Sequence, residues 1–171
     1  MVEASTLRAE STVPRRARLT AEGVTAGVLG GATIAVWFLI LDSIHGHPLY
    51  TPTLLGNAIF RPSAPIGPPE AMPASLPLVL LFTVIHGAVF VAIGEIAALL
   101  VRLAEKSANY TFGIVLFLVI FLSGFLFVTM VFAADVLEAL SWQAVFIGNL
   151  LAVGAMALYF KRRHPNLRML P

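Results

Sequence analysis

The stretch GVTAGVLGGATIAVWFLILDSIHGHP, Gly23–Pro48, decides the fold. It carries no charge from Gly23 to Leu41 and then meets Asp42, His45, His47 and Pro48 in quick succession. Roughly 20 apolar residues carry a helix across about 30 Å of hydrocarbon, so the run predicts a membrane span and the polar stretch its exit. Gly23, Gly27, Gly31 and Ala35 recur every fourth residue, on one helical stripe. Small residues at that spacing let a second backbone come close, where lipid supplies no hydrophobic drive for association.

Four such runs are present, at about Val24 to Leu41, Leu76 to Leu103, Tyr110 to Ala134 and Leu140 to Phe160. They account for a chain that is 58% hydrophobic and 12% charged, with a mean hydropathy of +0.90. Such values mark an integral membrane protein. The expected fold is an all-α, four-transmembrane-helix bundle: a basic arm at residues 1–22, the transmembrane domain at 23–163 with an outer loop at 42–75, and a tail at 164–171. The first run follows a long polar arm without a small-residue cleavage site, so it reads as an anchor and not a cleaved signal. Glu3, Glu10 and Glu22 argue against an organelle transit peptide.

Charge orients the bundle. Arg8, Arg15, Arg16, Arg18, Arg102, Lys106, Lys161, Arg162, Arg163 and Arg168 fall on one side, and Arg61 alone on the other. The positive-inside rule puts both termini in the cytoplasm. Clustering at helix ends also explains the basic pI of 9.4 without nucleic acid. The absence of cysteine removes disulfides, thiolate catalysis and Fe–S ligation.

The fourth run answers the glycine stripe with Ala144, Gly148 and Ala152, and the second offers Gly94 and Ala98, so runs one, two and four are expected to form the tight core. The third carries Phe117, Phe121 and Phe125 at helical spacing and reads as a face toward lipid or a partner subunit; lining of a pigment or quinone pocket is the sharper, rarer use of such a stripe. In the proline-rich outer loop, Thr51 as N-cap and Pro52 at the first helical position predict a short interfacial helix through Leu54, Leu55, Ile59 and Phe60. The rest, RPSAPIGPPEAMPASLP, reads as extended contact surface.

Few residues carry chemistry. Asp42, His45 and His47 could supply three ligands to a divalent cation, with Asp135 and Glu138 adding charge, or simply end a helix at the interface, the blander use. His86 falls near the bilayer centre, where an ionisable side chain needs a partner. Asn149, Ser123 and Thr33 lie at similar depth, and a His86–Asn149 hydrogen bond would tie the bundle. A proton relay, haem contact or quinone contact at His86 is the alternative. Glu95 reads as an inner-interface residue, or else as a buried proton or cation site. No GxSxG, Walker A or GxGxxG motif appears.

The stretches WFLILDSIHGHPLYTPTLLGNAIF and GNLLAVGAMALYFKRRHP resemble segments of small four-span bacterial inner-membrane proteins that carry no assigned activity. The resemblance covers most of residues 20–167. It implies a bacterial cytoplasmic membrane and the same four-helix layout, and transfers no catalytic residue. The function expected is that of a non-enzymatic accessory subunit in a membrane complex of respiratory or photosynthetic type. Its partners would be the lipid bilayer and other integral membrane subunits. It would hold no cofactor of its own, although lipid, quinone or pigment from neighbouring subunits could touch it. The rival is a small transporter or sensor using His86 and Glu95.

Overall fold

The computed structural model describes residues 15–106 and 134–165, and every regular element among them is helical. Phe117, Phe121, Phe125 and Ser123 of the third apolar run lie outside the described residues. The elements are α1 (Arg15–Ile44), α2 (Tyr50–Phe60), α3 (Leu76–Lys106), α4 (Ala134–Leu140) and α5 (Trp142–Arg163), with a 3-10 turn at Pro69–Ala71. Of these, α1, α3 and α5 are long and apolar enough to cross a membrane, over Leu19–Ile44, Leu76–Glu105 and Trp142–Arg163. A helix suits that setting because all its interior N–H and C=O groups pair within the segment. Hydroxyls inside the spans do likewise: Thr25, Thr33, Ser43 and Thr83 each donate to the carbonyl four residues earlier.

The long helix α1 is the centre of the molecule. It lies antiparallel to both α3 and α5, which scarcely touch each other. Its glycines make the contact with α3 nearly backbone to backbone. A Cβ on Gly27 would run into the Phe90 carbonyl oxygen, one on Gly94 into that of Gly23, and one on Gly23 would sit 2.6 Å from Glu95 Cα. Such proximity lets dispersion act over the length of both helices.

The small residues of α5 do not meet the Gly23, Gly27 and Gly31 stripe, as the sequence pattern suggested. That stripe is filled by α3, and α5 uses the neighbouring face of α1. Gly148 makes room for the Trp37 ring, Gly30 for Met156, and Ala152 is fully buried. The reason lies in α1 itself, which has a second line of small residues at Ala26 and Gly30. Ala35 is exposed, so the stripe against α3 ends at Gly31. Ala144 is half-buried, and its carbonyl accepts the Trp37 indole N–H at 2.9 Å.

Two apolar clusters mark the two ends. Ala26, Ala98, Val101, Met156 and Phe160 join α1, α3 and α5 at the basic end. At the other, Tyr50, Leu54, Met72 and Val136 join α2, the loop and α4. The proline-rich loop is therefore folded onto the protein and is more than an extended contact surface. Ser75 N–H donates to Thr53 Oγ1, Tyr50 OH to the Gly67 carbonyl, and Gly56 lets α2 press against the Leu78 carbonyl.

Candidate functional site

Polar side chains gather at three depths, and each group is built by the ends or faces of particular helices. At the loop end, α1 stops in a Schellman arrangement. Gly46 takes φ 78°, its N–H donates to Ser43 O, and the His47 N–H donates to Asp42 O. Only glycine adopts that backbone freely, which explains the residue between the two histidines.

The same geometry separates the residues that sequence spacing offered as metal ligands. His45 turns back and donates Nδ1–H to the Leu41 carbonyl at 2.7 Å. His47 points away toward Glu70, with Nε2 to Oε1 at 3.6 Å. Asp42 is only 6% exposed and has other work. Its Oδ2 accepts the Thr51 N–H and its Oδ1 the Thr51 hydroxyl, both at 2.8 Å. No group of three His, Asp or Glu side chains placed to hold a metal occurs among the described residues.

Asp42 is thus the cap of α2, supplied from another helix. The expected N-cap, Thr51, is already inside α2, and Pro52 follows it there. The cap position belongs to Leu49, which has φ 72° and no side-chain acceptor. A carboxylate from α1 satisfies the orphan amide instead and complements the positive end of the helix dipole. Beside it, a cleft of about 330 Å³ lies between Gly46, His47, Tyr50, Glu70 and Met72. Burial, with Asp42 and Glu70 nearby, raises the Tyr50 phenol above its ordinary value of 10.0, so it stays protonated as the donor to Gly67.

Halfway along α1 and α3, His86 holds the two helices together. Its Nε2–H donates to the Gly31 carbonyl at 3.2 Å. Phe82 and Phe90 lie on either side, with ring centroids 5.4 and 4.7 Å away. The expected bond to Asn149 does not form, because α1 stands between α3 and α5. Asn149 is buried and donates to Val145 O on its own helix at 3.0 Å. Thr33, also at that depth, is bonded to Leu29 O.

At the basic end, His164 caps α5 and reaches two other helices. Its Nδ1 lies 2.7 Å from Glu105 Oε1 of α3, and its Nε2 lies 3.5 Å from Glu22 Oε2 of α1. Arg102 approaches the same Glu22 oxygen at 3.5 Å. The imidazole is 11% exposed. Sequence reasoning passed over this residue, and the one available signal was a histidine directly after three cations at a helix end. Glu95 stands apart from the group, exposed on α3 with its backbone against Gly23.

No protein-family model matches the chain, and comparison with curated proteins and with solved structures gives no match.

Proposed function

We propose that this chain is a non-catalytic accessory subunit of a bacterial inner-membrane complex, crossing the bilayer four times with both termini in the cytoplasm. The observation that carries the reading is how little the described residues cover the long helices. In the most apolar window of α3 only 11% is buried inside the protein. The polar groups meanwhile serve to join helices: Asp42 to α2, His86 to α1, and His164 to α1 and α3. Polar side chains that tie helices together, beside apolar helix faces left open among the described residues, are compatible with packing beside other membrane subunits.

The fourth crossing is supported by where the described chain leaves off. Lys106 ends α3 beside the basic cluster, whereas Val136 of α4 packs with Tyr50 and Leu54 at the opposite end. A fourth crossing over the apolar run from Tyr110 to Ala134 fits those two positions. The positive-inside rule supplies the orientation. The respiratory or photosynthetic character expected from the sequence has no residue contact behind it.

Mild detergent extraction from the native membrane followed by native mass measurement tests the reading. A larger assembly containing other integral membrane proteins is expected; a lone 18.3 kDa species would contradict it.

A further inference from the structure

One face of α5 combines three features that belong together. Ile147, Leu151 and Leu158 are 42%, 44% and 50% exposed and share a stripe with Gly154. Nothing described lies within 4 Å of where a Gly154 Cβ would stand, so the aliphatic ridge has a notch in its middle. The stripe then runs up between Lys161 and Arg162, both exposed, in the last turn of the helix.

Neither cation has an ion pair among the described residues. Among the described carboxylates on that side, Glu22 and Glu105 are engaged by Arg102 and His164, and Glu95 lies lower on α3, against Gly23. Among the described residues, two positive charges without an ion pair therefore stand at the top of the notched apolar ridge. From Gly154 to Arg162 is about 12 Å along the helix. That falls within the roughly 15 Å of hydrocarbon that one leaflet contributes.

We infer that this face binds an anionic phospholipid of the leaflet at the basic end, with an acyl chain against Leu151, Gly154 and Leu158 and the phosphate between Lys161 and Arg162. Charge complementarity selects the headgroup: an anionic lipid neutralises the pair, whereas a zwitterionic one brings its own cation to a site already positive. The inference rests only on the membrane-spanning character of α5, so its failure would leave the accessory-subunit reading untouched.

The test uses the full chain in nanodiscs of mixed phosphatidylglycerol and phosphatidylcholine, with retained lipid counted by native mass spectrometry. The wild type should retain phosphatidylglycerol preferentially. Lys161→Gln and Arg162→Gln should each cut that preference roughly fivefold, as expected for a cation close to an anionic headgroup. Gly154→Leu should lower retention by filling the notch, and Arg61→Gln, at the far end, should change nothing. Equal retention of both lipids by the wild type, or an unchanged preference in the Lys161→Gln/Arg162→Gln double variant, would overturn the inference. So would a Gly154→Leu chain that changes oligomeric mass and keeps its lipid, because the face would then belong to a second copy.

Discussion

At Asp42 both carboxylate oxygens are engaged, one by the Thr51 amide and one by its hydroxyl. Removing them leaves a buried amide without an acceptor, which costs about 1–3 kcal/mol. Asp42→Ala should lower unfolding stability in detergent by that amount, and Thr51→Val by less, since the amide keeps its partner. His86→Leu removes one interhelical bond but keeps an apolar body between Phe82 and Phe90, so the loss should be about 0.6–1 kcal/mol with assembly intact. Under the transporter or sensor reading the same change would abolish activity. Tyr50 supplies a pH dependence. Its phenol is raised in the folded protein, so its contribution is fully present below the ordinary value of 10.0 and is lost as pH rises through the folded one. Thermal unfolding between pH 9 and 11, roughly spanning a tyrosine titration, should fall more steeply for wild type than for Tyr50→Phe. The sequence offered a metal site or a helix end as uses of Asp42 and the two histidines, and did not reveal that Asp42 starts the next helix. Its partner is nine residues on, across a turn whose shape depends on Gly46 and Leu49. His164 was less legible still, since its carboxylates come from two distant helices.

Among elements, the contact of α1 with α3 has the least room. Gly27→Ala should force the helices apart and destabilise the chain by about 1–3 kcal/mol, the usual cost of overpacking. Gly87→Ala makes the matched control on α3. Nothing described lies within 4 Å of its added methyl group, and the gain in helix propensity should leave stability unchanged or up to about 1 kcal/mol higher. Denaturant titration of the two variants separates a packing effect from a general dislike of substitution. The spacing of Gly23, Gly27 and Gly31 announced a close contact, and Gly94 and Ala98 were among its possible partners. A four-residue period identifies a face but not its occupant, and two small faces on α1 made the assignment to α3 or α5 undecidable from spacing alone. The loop was legible as far as its short helix. Its folding onto α2 depends on Thr53, Gly56 and Met72, whose partners in space no local pattern reveals.

For the whole molecule, length and apolarity announced four spans, and three of them are described as helices long and apolar enough to cross, because those properties are set by the bilayer and not by the partner; the third run lies outside the described residues. Function was not legible in the same way, since Asp42 and His86 are bonded to other helices and belong to no catalytic motif. The central claim is that the chain crosses an even number of times, with its basic ends together and the loop and α4 on the far side. The lack of native cysteine makes each introduced one a unique reporter. Ser63→Cys and Glu138→Cys should react with a membrane-impermeant maleimide on intact cells, whereas Ser5→Cys and Asn166→Cys should react only after permeabilisation. Labelling of residues 5 and 166 from opposite sides of the membrane would contradict the account.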